Sequence, residues 1–372
     1  MEQKVVILLS RLDLSEKEKK LLLELINQNI DWFKVVRYAI NNKVLMLLWH
    51  NITKLKISLY LPPYLRRMLN QIYLSTKKDN EIFFQEINKI KNEFETNGIQ
   101  ISLLKGTYLI PHIYKDYGTR SMNDIDCLVN YKDSALITDI MKKLGYVNGI
   151  IDIDNCTIKP LTRKEEILWK TSMTNLPAFY KFNNEHSLKY IKVDFSTKLD
   201  FNTDYDLTKE FLQYNKNNFL DKPFFFLHLC CHLYKEAVND TYIKLHKDLN
   251  LIKFCDVREY MLSMKKDELM LAIKYANENK LNKQVYFTLF YLNQLYNEDY
   301  NDYINLLDIK DSSFLDEYNI VGTLKTSTWK KTFFERLFSD NNEDEMINTP
   351  LFFNNYKLEH ATQKKGDVFE YD

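Results

Sequence analysis

The sequence predicts an α+β protein: a small mixed β-sheet core flanked by N-terminal and C-terminal helical regions. Three observations carry that expectation. Five of the seven glycines fall between Gly98 and Gly149, so tight turns concentrate in one stretch. Four strand-like runs, ISLLKG, MNDIDCLVN, LPAFYKF and LKYIKVDFSTKL, lie in that stretch or soon after it. Before and after, apolar residues instead recur at three- and four-residue spacing.

The elements come in this order. WFKVVRYAINNKVLMLLWHNI reads as helical. Pro62-Pro63 breaks the chain before a long amphipathic stretch that Asn97-Gly98 ends. ISLLKG is a strand with a stop, and TYLIPHIYKDYG a helix in which Pro111 either forms a kink or marks the first turn. MNDIDCLVN is a strand, and DSALITDIMKKLGY an amphipathic helix closed by Gly145. LPAFYKF and LKYIKVDFSTKL form a strand pair around an Asn183-Asn184 hairpin loop. From Leu207 the chain is helical again: Pro223 starts a buried helix through Tyr234, LHKDLNLIKFCDVREYM gives another, and more follow to Leu337. The acidic run Ser339 to Asn348 reads as a linker or mobile loop. The expected regions are thus 1–97 helical, 98–206 the α/β core, 207–338 helical, and 339–372 an acidic linker and tail. No internal repeat is visible.

Totals exclude several classes. Lys plus Arg and Asp plus Glu are 51 each, so the formal net charge is zero and the chain is no strongly basic nucleic-acid binder. A local basic groove stays open, because a sum says nothing of distribution. The five cysteines are odd in number and contain no CxxC pair, against both a disulfide framework and a structural zinc site. The N-terminal apolar run is broken by Arg11 and Asp13 and is no signal peptide. No apolar run reaches the roughly 18–20 residues of a membrane span. The nearest, Phe224 to Tyr234, contains two histidines. A soluble, cytoplasmic chain without a membrane partner is expected.

The chemistry centres on Asp124-Ile125-Asp126. Carboxylates at i and i+2 of a strand point to one face. This pair follows the Lys105-Gly106 turn and an intervening helix, and it enters an apolar strand. Nucleotidyl transfer attacks the α-phosphorus of a nucleoside triphosphate and expels pyrophosphate, with two Mg²⁺ ions at the attacking and leaving oxygens. Mg²⁺ takes oxygen ligands, so closely spaced carboxylates suit it, and Mn²⁺ is the alternative ion. Two other Asp-x-Asp pairs, Asp152/Asp154 and Asp204/Asp206, are better explained by a loop or exposed hairpin and by helix capping. A third carboxylate is expected from LKYIKVDFSTKL, where Tyr190, Lys192, Asp194 and Ser196 share the polar face. Asp194 is then a metal ligand or the base for the acceptor hydroxyl; the bland reading is a solvated strand carboxylate.

LLKGTYLIPHIYKDYGTRSMNDIDCLV resembles the LKG…R-x-M-x-D-I-D-x-L-V pattern of an uncharacterised bacterial nucleotidyltransferase family in the DNA polymerase β-like superfamily. The resemblance runs from about Asp31 to Tyr260. It implies Asp124, Asp126 and Asp194 as metal ligands and catalytic carboxylates. It also implies Lys105, Gly106 and Thr107 at the triphosphate, with Arg120 and Ser121 touching phosphate. Thr107 stands where many members place Ser, and Phe195-Ser196-Thr197 stands where the family often has Leu-His-Trp.

The expected reaction moves a nucleoside monophosphate, AMP from ATP, to a hydroxyl on a small molecule, peptide, protein or RNA. Two alternatives stay open. LKGT…R-S-x-x-D-I-D is also similar to toxin members of the superfamily that act on tRNA, which a basic cleft would favour. A degenerate, nucleotide-sensing or protein-binding module is the other. His228 and His232, at i and i+4, read as core or interface residues, because an oxygen-ligand site would not choose them; the resemblance implies the alternative that His232 reaches the nucleotide cleft. Lys244, Lys247 and Lys253 lie near helix faces that either line a cleft or, the preferred reading, are solvated, and the Tyr and Phe abundance reads as core packing.

Overall fold

The computed structural model describes residues 1–152, 155, 157–172, 175–183, 188–198, 207–244, 247–319 and 325–340. The glycine-marked stretch and the segment after it build one six-stranded sheet. Its strands are β1 (Ile101–Leu103), β2 (Ile125–Val129), β3 (Val147–Asp152), β4 (Thr157–Pro160), β5 (Phe179–Phe182) and β6 (Tyr190–Ser196), in spatial order β1-β2-β6-β5-β3-β4. β2 and β6 run parallel; the other neighbouring pairs are antiparallel. A parallel pair needs a long crossover, and the whole segment from α7 (Ser134–Lys143) to β5 supplies it. β6 alternates as its sequence requires, with Ile191, Val193 and Phe195 buried and Tyr190, Lys192, Asp194 and Ser196 half-buried.

Upstream stand α1 (Glu2–Leu9), α2 (Glu16–Ile26), α3 (Trp32–Asn41), α4 (Leu45–Lys54) and α5 (Pro63–Thr96). Their ends obey local chemistry. Ser15 and Glu18 form a capping box on α2, and the Asp31 carboxylate accepts from Phe33 N at 2.9 Å and Lys34 N at 3.2 Å to start α3. Lys43, at φ 56°, parts α3 from α4 within what reads in sequence as one helical run. Pro63 opens α5, and Gly98, at φ +67°, lies just past its end.

Several segments depart from expectation; in the downstream region expected to be helical, Asn215–Lys216 pairs with Phe219–Leu220 and Glu317–Asn319 with Thr326–Thr328 as short antiparallel strands. The helix expected from Thr107 to Gly118 is only one α-turn, α6 (Gly106–Leu109), followed by a wider π-turn over Ile110–Tyr114. Pro111 has no N–H to continue the ladder, and Lys115 N closes the turn on Ile110 O at 2.8 Å with φ 63°. α8 (Arg163–Ser172) is an addition to the expected elements, and of the loop and hairpin readings of the stretch around Asp152 the structure has the β3–β4 hairpin. β3 has no buried residue, so no alternation marks it. Asp152 ends β3, a half-buried strand of this hairpin. Asp154, Cys156, Asn184, Asp204, Asp206 and residues 341–372 lie outside the described residues.

Downstream come α9 (Thr208–Gln213), α10 (Lys222–Val238, with Pro223 in its first turn), α11 (Asp240–Lys244), α12 (Leu251–Leu262), α13 (Lys266–Glu278) and α14 (Asn282–Tyr296). Among the described residues, no helix is long and apolar enough to cross a membrane. Both helical flanks share one apolar cluster, in which Val5 and Leu47 pack with Phe226 and Leu292. A second cluster lies under the sheet, where Phe83 and Phe94 of α5 meet Phe179 and Phe195. Buried polar groups lock the flanks together. Asn42 Nδ2 donates to Tyr38 O and Leu337 O, both at 3.1 Å, while its Oδ1 accepts from Leu251 N at 3.0 Å. Arg11 pairs with Glu18 and donates to Tyr296 O at 3.0 Å.

The segment between α6 and β2 is clamped by α5 and α12. Asn80 Nδ2 on α5 donates to Tyr117 O at 2.6 Å and Arg120 O at 2.8 Å. Asp116 accepts from Tyr73 Oη and from Gly118 N, and the Tyr73 ring leaves no room for a side chain at Gly118. Arg120 reaches α12, donating from Nε at 2.9 Å and Nη2 at 2.7 Å to the two oxygens of Asp256, which also accepts from Tyr114 Oη at 2.7 Å.

Two stability effects are expected. Asn42→Ala strands the buried Leu251 N–H and the Leu337 carbonyl, while Tyr38 O keeps its bond from Asn42 N, and should lower unfolding free energy in urea by roughly 1–3 kcal/mol. Asp256→Ala leaves the buried Arg120 charge unpaired, and should cost about 3–5 kcal/mol in the same measurement. The double change Arg120→Met/Asp256→Leu should recover much of that loss.

Candidate active site

The site grows from strand register. Asp126 on β2 stands directly opposite Asp194 on β6, and Asp124 precedes Asp126 by two residues. All three side chains therefore converge, with one carboxylate oxygen from each lying within 4.8 Å of the others. Among the described residues this is the one group of three or more His, Cys, Asp or Glu side chains spaced to hold a metal ion. Buried apolar neighbours on the opposite face, Ile125 with Val193 and Cys127 with Phe195, fix this pairing.

Two ammonium groups balance the cluster. Lys105 Nζ lies 2.9 Å from Asp126 Oδ2. Lys192 Nζ lies 3.2 Å from Asp124 Oδ2 and 2.8 Å from Asp194 Oδ2. Burial pushes Asp126 up to about 6, and Asp124 and Asp194 add to that against the Lys105 charge. Burial works the same way on Asp124, but Lys192 and Lys105 outweigh it and hold that carboxyl below its usual value. Burial would also weaken the Lys105 ammonium, yet Asp126, Asp124 and Glu236 keep it firmly charged. The carboxylate oxygens suit a hard divalent cation, and two lysines already seated on them show that the pocket is built for positive charge.

The turn beside the cluster is strained. Lys105 has φ 48° and ψ −121°, outside the regions a side-chain-bearing residue prefers. Leu104 N donates to Asp126 O at 3.0 Å, and Leu109 N to Lys105 O at 2.9 Å, fixing the turn against β2. A Cβ at Gly106 would lie 2.7 Å from Arg120 Nη1 and 3.3 Å from Met122 Sδ, so a side chain there would push the Arg120 guanidinium aside.

The other residues singled out in sequence take varied places. Thr107 is buried, and its hydroxyl donates to Leu104 O at 2.6 Å. Arg120 gives its Nε and Nη2 edge to Asp256, while Nη1 donates to Ser121 O at 3.3 Å. Ser121 is exposed. Lys244 pairs with Asp240 at 3.4 Å. Lys253 is not part of a solvated face: it is 14 % exposed and paired with Glu236. His228 and His232 stack with ring planes 17° apart, and burial, with Lys105 nearby, keeps both imidazoles neutral.

Several residues at the site are absent from the set that the sequence singles out. Glu236 on α10, one further i+4 step along the His228, His232 face, lies in the field of Lys105. The Tyr242 phenol of α11 is raised by burial and by Glu236 against the Lys105 charge, with Asp194 and Asp126 contributing. Lys43 acts on Asp124 from the α3–α4 turn. Lys192 was visible on the polar face of its strand; Asp256, 136 residues from Arg120, left no sequence signal.

A family model described as uncharacterised nucleotidyltransferase matches residues 28–297. Neither the curated proteins nor the solved structures give a match. Nucleotidyltransferases generally use divalent metals, and the three-carboxylate cluster lies inside the matched span. Covering α3 through α14, well over half of the chain, the match establishes that this chain belongs to an uncharacterised nucleotidyltransferase family.

Proposed function

We propose that the protein transfers a nucleoside monophosphate, AMP from ATP, to a hydroxyl acceptor and releases pyrophosphate. The observation that carries this reading is the register of β2 and β6, which gathers Asp124, Asp126 and Asp194 within 4.8 Å beside the Gly106 turn. Two Mg²⁺ ions at such a cluster would supply charge stabilisation for the attacking and leaving oxygens. Asp124 and Asp126 would hold the ions, and Asp194 would complete the ligand set. Lys105, Gly106 and Thr107 form the triphosphate side, with Gly106 allowing close approach to backbone and Lys105 supplying charge. Arg120 and Ser121 border it, Arg120 through its Nη1 edge.

In the reaction the acceptor oxygen forms a bond to the α-phosphorus. The bond from that phosphorus to the bridging oxygen breaks, and its electron pair leaves with pyrophosphate. The acceptor proton passes to the Asp194 carboxylate. The convergence of all three carboxylates supports this reading over a degenerate binding module.

Calorimetric titration of ATP, GTP, CTP and UTP with Mg²⁺ tests it, comparing the unaltered protein with Asp124→Asn/Asp126→Asn. One nucleotide, ATP, should bind in a Mg²⁺-dependent manner. Outer-shell changes at metal sites already weaken binding about 10–100-fold, so the double variant should lose at least that much. A folded protein that binds no nucleotide, or binds equally well as the double variant, would sink the reading.

A further inference from the structure

The carboxylate cluster carries its own counter-ions, and they are not alike. Lys105 contacts one carboxylate, Asp126. Lys192 bridges two, with Nζ between Asp124 Oδ2 and Asp194 Oδ2 at 3.2 Å and 2.8 Å. A shared divalent ion would need oxygens of the same two carboxylates, because Mg²⁺ and Mn²⁺ bind carboxylate oxygens at close range. An ammonium and a divalent cation cannot both occupy that gap: they compete for the same lone pairs and repel each other.

The backbone beneath Lys192 has no freedom to retreat. β6 is an inner strand, paired on one side with β2 and on the other with β5, where Tyr180 is the residue opposite Lys192. Only the four-carbon stem can move, and it is flexible with a compact charge at its tip. Lys192 and Asp194 are two apart on one strand, so the stem stays on the face that carries the carboxylates. A displaced ammonium on that face meets whatever anion arrives with the metal.

We propose that Lys192 is an exchangeable counter-ion: its ammonium competes with the divalent ion for the Asp124–Asp194 oxygens and, once displaced, turns onto the phosphate oxygens of the bound triphosphate. This rests on the metal-dependent reading above. It makes the side chain a phosphate-binding residue whose charge is held ready by the site itself. It also couples the two ligands. Metal entry without a triphosphate leaves an ammonium beside a dication, whereas entry with a triphosphate gives that ammonium a partner.

The test is Mn²⁺ binding to the full chain without nucleotide, followed by the electron paramagnetic resonance signal of free Mn²⁺. It is run on the unaltered protein, Lys192→Met, Lys192→Arg and Asp124→Asn/Asp126→Asn. Inorganic triphosphate binding is then measured at saturating Mn²⁺, which removes any dependence on the base. Lys192→Met should bind Mn²⁺ about tenfold more tightly and triphosphate about tenfold more weakly, the change expected for one charge-assisted contact. Lys192→Arg keeps the charge, so its Mn²⁺ affinity should stay near that of the unaltered protein.

Equal or weaker Mn²⁺ binding by a folded Lys192→Met protein would overturn the proposal, leaving Lys192 as a strut between carboxylates. Tighter Mn²⁺ binding with undiminished triphosphate affinity would overturn it too. If Lys192→Met does not fold, tight Mn²⁺ binding by Lys192→Arg decides against competition. Mn²⁺ binding that survives Asp124→Asn/Asp126→Asn unchanged would instead remove the metal reading itself, a failure separable from the others.

Discussion

The parallel pairing of β2 with β6 is the constraint on which the rest depends. Parallel neighbours lie about 4.8 Å apart, close enough for carboxylates on opposed residues to share a cation. The carboxylates do not choose this register, since like charges repel. The opposite face does: Ile125 and Cys127 pack with Val193 and Phe195, and Phe195 stacks on Phe94 of α5 with ring centroids 5.6 Å apart. A one-residue slip would turn Asp194 into the core and Phe195 into the site. Hydrophobic packing thus places charges that electrostatics alone would separate.

The charges are then held by groups from three parts of the chain. Lys105 comes from a strained turn, Lys192 from the strand itself, and Lys43 and Glu236 from the flanks on either side. The turn keeps its shape because Gly106 abuts Arg120, and Arg120 is fixed to Asp256 of α12. The helical flanks are therefore part of the site's architecture as well as its cover.

Much of this was legible in sequence because it is local. Period-two alternation marked β6 and put Asp194 and Lys192 on one face; Gly98 and Gly145 marked helix ends; Pro63 and Pro223 marked helix starts. The features that stayed hidden are long-range or unpatterned. The mostly half-buried β3 carries no alternation, and the π-turn at Pro111 depends on how Ile110 and Lys115 close it. The Arg120–Asp256 pair exists only once α12 has folded against the α6–β2 segment, so nothing local in the sequence announces that the Nε and Nη2 edge of Arg120 is held by Asp256. Lys253 read as solvated because nothing in its neighbourhood announces its partner Glu236 on α10.

The locking of the two flanks has a consequence for the ribosome. Arg11 bonds to the carbonyl of Tyr296, 285 residues later. At about 5–20 residues per second, the first helices wait on the order of tens of seconds for that partner to be synthesised. Over that interval the apolar faces of α1, α3 and α4 have no C-terminal helices to cover them, whereas β1, β2 and β6 can pair well before the last helices emerge. The strands that carry the carboxylates should therefore assemble inside a nascent chain whose two ends are still unmatched, a stage at which holdase chaperones have most to bind.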